Sequence, residues 1–261
     1  MSARVRALSV CTALVLALLL TAALAPLPYS VAYPGMTANV LGEDKGKPVI
    51  TITGAGTRKT GGQLRMTSIV ATGPDASVRL SDILTAWFRT DEAAMPREAV
   101  YPVGENTEEI AEHNAKQMKQ SQDTAIAAAL HQLNRSPKGI KVKLSLADVG
   151  GPSAGLMFAL GIVDKLAGDG KGGELTGGRT IAGTGTITAD GKVGAVGGVA
   201  LKTQAAHRDH ATVFLVPRQE CADARAELPR DMRLIPVTTL GGALDALKAL
   251  NSGGNVPSCP R

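Results

Sequence analysis

Arg4 and Arg6 are followed by a stretch from Ala7 to Ala25 that holds no charged residue. Coiled into a helix at about 1.5 Å per residue, such a stretch nearly crosses a hydrocarbon layer about 30 Å thick. It is apolar all round and has no polar face to turn to water, which sets it apart from a packed helix of a soluble domain. Two readings fit: a retained transmembrane anchor, or a signal peptide cut after the small-x-small triplet Ala23-Leu24-Ala25. The anchor is favoured, because Pro26 directly after that cut fits a processing enzyme's extended subsites poorly and the run exceeds a usual signal core. Positive charge on the leading flank keeps the N-terminus cytoplasmic and places the remainder outside the membrane.

The rest of the 261-residue chain is long enough for one large domain or two small ones. Apolar residues make up 44% of the chain but aromatics only 3%, so its core must be aliphatic and closely packed. The net charge of +5 is spread along the chain without a basic stripe, which leaves nucleic-acid binding without its usual footprint. Cys11, Cys221 and Cys259 are far apart and form no ligand-like spacing with the four histidines, so no metal or cofactor is expected. Cys221 and Cys259 are the cysteines outside the apolar run; spacing alone leaves their pairing open.

Residues 1–26 are expected to be the anchor and residues 27–47 a linker with a first strand, since Pro26, Pro28 and Pro34-Gly35 cannot continue a helix. Within an N-terminal part spanning 48–139, the β-rich runs 48–53 and 63–70 read as a hairpin, followed by a short helix over 80–88. A long helix over 106–133 is predicted, with Asn106 as N-cap, Glu109 reaching back to it, and a stripe of Ile110, Met118, Ala125, Ala128, Ala129 and Leu133. Residues 140–251 read as one unit in which strands and helices alternate. It opens on a strand over 140–146 whose period-2 pattern leaves one face wet, then a helix over 153–166 and a strand over 179–187. A helix over 199–207, a strand over 212–216, a helix over 218–228, a strand over 233–237 and a helix over 240–250 complete it, before a polar, mobile tail at 252–261. The fold class is α/β (α+β).

The sharpest local feature is Val149-Gly-Gly-Pro-Ser-Ala-Gly155, between a strand and an apolar helix. The glycines open backbone geometries closed to other residues and Pro152 presets a helical turn, so Ser153 is presented at a helix N-terminus. Backbone groups around Gly151, Pro152 and Ser153, with the positive end of the helix dipole, can stabilise an oxyanion. The plainer reading is that Ser153 is an ordinary helix cap. A serine nucleophile needs a base. His207 and His210 sit near the end of a polar helix and read as solvated, whereas Lys202 lies in the mostly small and apolar segment 197–206. Burial can lower a lysine toward neutrality and make it a base. Its plainer reading is one solvated lysine on an amphipathic helix.

Taken in order, Gly150-Gly-Pro-Ser-Ala-Gly155, Ile181-Ala-Gly-Thr-Gly-Thr-Ile187, Asp190-Gly-Lys-Val-Gly-Ala-Val-Gly-Gly198, Lys202 and Phe214-Leu-Val-Pro217 resemble the Lon-type protease domain. The resemblance covers about residues 140–250 and is nearest to the membrane-anchored, ATPase-free branch called YlbL-like; residues 27–133, with Met118-Lys-Gln-Ser121, are similar to that branch as well. It implies the Lon proteolytic fold, related to the second domain of ribosomal protein S5, and a Ser153/Lys202 dyad supported by the Thr184 hydroxyl. A strand-end hydroxyl satisfied by backbone is the plainer account of Thr184. The chain departs from the family pattern in two places. Gly150 stands where Lon domains carry an Asp three residues before the serine, with Asp148 nearby; and the polar turn 134–139 occupies the place of that branch's PDZ domain.

The chain contains no Gly-x-x-x-x-Gly-Lys-Ser/Thr, so ATP-driven unfolding is not expected of it. The function expected from the resemblance is therefore an ATP-independent serine endopeptidase acting on extended or poorly folded exported polypeptides at the outer face of the membrane, with a homo-oligomer implied by the family's habit of forming rings. A penicillin-binding-type hydrolase is set aside, because no serine has Lys three residues later. The alternative from another class is an inactive Lon-like domain acting as a membrane-anchored, peptide-binding adaptor.

Overall fold

The computed structural model describes residues 2–101, 107–146 and 151–260. Helix α1 (Ala3–Leu24) has a mean hydropathy of 2.5 and buries none of its residues against the rest of the protein. It stops where Ala25 turns extended ahead of Pro26 and Pro28. The chain then enters strand β1 (Tyr29–Asn39), a two-stranded ribbon of β2 (Glu43–Asp44) and β3 (Lys47–Pro48), strand β4 (Ile50–Thr53) and strand β5 (Gln63–Ala71). Helix α2 (Leu80–Trp87), strand β6 (Ala93–Pro96), the one-turn α3 (Arg97–Val100), the long α4 (Thr107–Gln132) and strand β7 (Lys141–Leu144) follow. A 3-10 turn at Pro152–Ala154 leads into α5 (Gly155–Leu166), and then come β8 (Thr180–Gly183), β9 (Thr186–Ile187), β10 (Val193–Gly194) and α6 (Val199–Arg208). The last elements are β11 (Val213–Pro217), α7 (Cys221–Ala226), β12 (Arg233–Val237) and α8 (Leu240–Ser252).

The central sheet has six strands in the order β12-β11-β8-β5-β1-β6. The four strands β12, β11, β8 and β5 run parallel, while β1 pairs antiparallel with both β5 and β6. Parallel strands need crossovers, and α6 and α7 supply them for β8-β11 and β11-β12. Along β11 the side chains alternate between two cores, as a period of two requires. Val213 and Leu215 join α4, α5 and α8 on one face, where Phe158, Leu64 and Ile181 are fully buried. Phe214 and Val216 join α6 and α7 on the other, with Val199, Ala206 and Ala224. Truncating Phe158 or Phe214 to alanine in so aliphatic a core costs about 3–5 kcal/mol.

Helix α4 buries Ile110, Met118, Ala125, Ala128 and Ala129, with Leu133 packed alongside, as its stripe predicts. The proposed Asn106 cap lies outside the described residues. Strand β7 alternates exposed and half-buried residues, one face wet.

Several expectations are corrected. The runs 48–53 and 63–70 form no hairpin: β4 pairs with β7, and β5 lies inside the central sheet. The first strand expected within 27–47 is present as β1, but it runs through Pro34-Gly35, read as linker, with its register shifted between Pro34 and Thr37, where a proline cannot donate to the ladder. The strand expected over 179–187 breaks after Gly183, and its second piece, β9, pairs with β10 instead. The helix expected over 218–228 is shorter, a 3-10 turn at Arg218–Glu220 followed by α7. The tail is tied down: Val256 is buried and Cys259 forms a disulfide with Cys221 across a Cα–Cα distance of 5.5 Å.

Candidate active site

The turn that carries Ser153 is held from both sides. Gly151 has φ +85°, a left-handed conformation that a side chain disfavours, and this swings the chain from the loop into the 3-10 turn. From α4, the Ser121 hydroxyl donates to the Pro152 carbonyl at 3.0 Å and the Asn114 carbonyl accepts from the Gly151 N–H at 3.4 Å. From the β8–β9 connection, the Gly185 N–H donates to the Ser153 carbonyl at 2.9 Å. Gly155 is needed for close approach, because a Cβ there would lie 3.0 Å from both the Ile187 side chain and the Ser121 Oγ. Ser153 itself is half-buried at the wall of a cleft of about 420 Å³.

Lys202 reaches the same cleft from the first turn of α6. It is 3% exposed, and its Nζ donates to the Thr184 Oγ1 at 3.2 Å. Thr184 is fully buried, anchored through its N–H to the Leu215 carbonyl, and its hydroxyl lies 3.3 Å from the Ser153 carbonyl oxygen. The structure thus brings Ser153, Lys202 and Thr184 together from three separate motifs.

Burial pushes the Lys202 ammonium down to about 8, while the nearby carboxylates of Glu220 and Asp223 pull it back up. Both carboxylates are fixed by backbone donors at the start of α6: Glu220 Oε1 accepts from the Val196 N–H at 2.8 Å and Asp223 Oδ2 from the Val199 N–H at 2.9 Å. Burial raises Glu220 above the usual carboxylate range, against the lowering effects of the Val196 bond and of Lys202. These two acids were not singled out from the sequence. Glu220 ends the 3-10 turn before α7 and Asp223 lies on α7, and the packing of α7 on α6 brings them near Lys202.

Residues 108–248, more than half of the chain, match the family described as the Lon protease (S16) C-terminal proteolytic domain. The chain belongs to this family. It is by family a serine-type peptidase with the Lon proteolytic-domain fold. Among similar proteins are the Lon proteases of Chloroflexus aggregans, 35% identical over 97 residues, and of Xanthomonas oryzae pv. oryzae, 34% identical over 98 residues. Each match covers 36% of this chain and 11% of the relative. The Lon protease of Clostridioides difficile is 41% identical over 83 residues, 32% of this chain and 10% of the relative. The chain therefore spans about a tenth of the length of the curated relatives it matches.

Within this Lon-type domain, the three residues expected to form the oxyanion site are not equivalent. Pro152 has no N–H to donate, and the Gly151 N–H is engaged by Asn114, which leaves the Ser153 N–H as the candidate donor among the three. Gly150 and Asp148, the positions that depart from the Lon pattern, lie outside the described residues. Neither His207 nor His210 lines the cleft. His207 instead pairs with Asp231 at 2.9 Å on the surface. A larger apolar pocket of about 600 Å³ beside α2, bordered by Leu80 and Trp87, contains neither Ser153 nor Lys202. Among the described residues, no three His, Cys, Asp or Glu side chains gather into a metal-binding group.

Proposed function

We propose that the protein is an ATP-independent endopeptidase, anchored by α1, that cleaves extended or poorly folded polypeptides at the outer face of the membrane. The observation that carries the catalytic reading is the convergence of Ser153 and a buried, pKa-depressed Lys202 on one cleft. Neutral Lys202 takes the Ser153 Oγ proton as the oxygen attacks the scissile carbonyl carbon, and a tetrahedral oxyanion forms. Its collapse breaks the C–N bond, and Lys202 returns the proton to the leaving amine. Water, deprotonated in turn by neutral Lys202, then attacks the acyl-Ser153 ester carbon; collapse breaks the C–Oγ bond, and Lys202 returns the proton to Oγ. Thr184 holds the lysine amine in position throughout.

Substrate entry as an added strand is supported by the end of β5. Strand β8 stops at Gly183 opposite Met66, while β5 continues to Ala71, and Ser68, Ile69 and Ala71 line the cleft. An extended backbone laid along this overhang would pass Ser153. Folded substrates would need prior unfolding, because the phosphate-cradling motif of an ATPase does not occur in this chain.

The test compares proteins retained and released at the cell surface in wild type and Ser153→Ala. A defined set of uncut substrates in the variant supports the peptidase reading. Identical profiles, together with capture of extended peptides by the purified protein without cleavage, would favour an anchored adaptor instead.

A further inference from the structure

The chain has one tryptophan and three phenylalanines, and they divide sharply. Phe158 and Phe214 are fully buried, whereas the adjacent Trp87 and Phe88 are 79% and 88% exposed. Both stand at the C-terminal end of α2, which also carries the exposed Leu80 and Leu84, and Leu80 and Trp87 border the 600 Å³ pocket. The spacing i, i+4, i+7, i+8 is that of a single helical face. The adjoining face is fastened down: Ala86 and Ile83 pack with Val31, Val78 and Ala94. Helix α2 therefore sits firmly on the sheet while turning outward a face of two large aliphatic and two aromatic side chains.

The position of this face identifies what covers it. Leu27, just after α1 ends, forms an isolated bridge with Val78, just before α2 begins, so that α1 and α2 approach each other there without α1 being buried. A bilayer crossed by α1 would thus have its surface beside the exposed face of α2. Tryptophan and phenylalanine next to leucine suit the boundary between headgroups and acyl chains. The charges around α2 do not form a basic patch: Arg89 is paired with Asp91 and Glu92, and Asp82 is bonded to the Arg79 N–H. Attraction to anionic lipid is thus not the driving force.

We infer that α2 docks on the bilayer crossed by α1, inserting Leu80, Leu84, Trp87 and Phe88, and so holds the cleft close to the membrane surface. This rests on the reading of α1 as a membrane span. Strand β6 links the two sites, since Ala93 and Ala94 line the pocket beside α2 while Met95 lines the cleft with Ser153 and Lys202. The substrates favoured by this geometry are extended segments that emerge from the membrane next to the enzyme.

Trp87 is the sole tryptophan and reports its own surroundings. The full chain is reconstituted in vesicles of zwitterionic lipid, with or without brominated acyl chains, and Cys11, the free cysteine within α1, is probed with a membrane-impermeant maleimide. Docking predicts that brominated lipid reduces Trp87 emission at least about two-fold, because an indole at the headgroup–acyl boundary lies within reach of the bromines. The quenching should persist in high salt and be lost in the Leu84→Asp variant. Strong quenching by soluble acrylamide but none by brominated lipid, with Cys11 protected, would overturn docking and leave the anchor standing. The same lack of lipid quenching with Cys11 reactive would remove both readings. Shielding of Trp87 from both quenchers would assign the face to a second copy of the chain and overturn docking.

Discussion

The Lys202 ammonium donates to the Thr184 hydroxyl at 3.2 Å, in a position where both residues are closed to solvent. A hydrogen bond to a charged group is worth about 1.5–3 kcal/mol, and removing its acceptor leaves the amine without that support. Thr184→Val, which keeps the shape and removes the oxygen, should lower kcat/KM about 10- to 100-fold. Thr184→Ser should retain most of the activity. Equal loss in both variants would mean that the methyl group and its packing, and not the hydroxyl, hold the lysine.

The charge of Glu220 raises the Lys202 pKa, against the burial that lowers it. The base must be neutral to act, so kcat/KM should rise with pH through an apparent pKa of about 8. Glu220→Gln preserves an acceptor for the Val196 N–H while deleting the charge. The protonated lysine is then less stabilised, its pKa falls, and the rising limb of the profile should move to lower pH. An unmoved limb would show that Lys202 does not feel Glu220.

How much of this site was legible in the sequence follows from the range of the forces that build it. Ser153 and its turn are fixed locally, by Gly151 and Pro152, and the helices α4, α5, α6 and α8 by apolar spacing within each segment. Lys202 and Thr184 stand in motifs whose spatial meeting only the resemblance implies. Strand partners are set by contacts distant in the chain, which is why residues 48–53 read as one half of a hairpin although their partner is β7. The break after Gly183 is hidden in a run of strand-like residues: the Thr184 N–H still bonds the Leu215 carbonyl, and Gly185, bonded to the Ser153 carbonyl, turns the chain toward β10. Glu220 owes its role to burial, which charge patterning does not reveal.

The disulfide between Cys221 and Cys259 joins α7 to the C-terminal residues across 38 positions. Closing a loop of that size stabilises a fold by about 2–5 kcal/mol. Reduction, Cys221→Ser and Cys259→Ser should each lower stability by this amount. Combining the two substitutions should add little, since both break the same bond. Two titratable thiols in the unfolded, non-reduced protein would contradict the crosslink.

If α1 spans the membrane with Arg4 and Arg6 on the cytoplasmic side, the globular part is extracytoplasmic, where a disulfide can persist. Protease added to intact spheroplasts should digest it. Protection until lysis would reverse the orientation.

The most direct test of the dyad is cleavage of an unfolded polypeptide by purified wild type, Ser153→Ala, Lys202→Ala and Lys202→Arg, with folding checked by circular dichroism. Arginine keeps the positive charge but, with a pKa above about 12, cannot serve as a base. The account predicts that all three variants fold and that each loses on the order of 10³-fold or more in kcat, the scale on which a coupled nucleophile and base fail together. Near wild-type cleavage by Lys202→Arg would contradict it, leaving Lys202 as a structural cation and assigning activation of Ser153 to another residue.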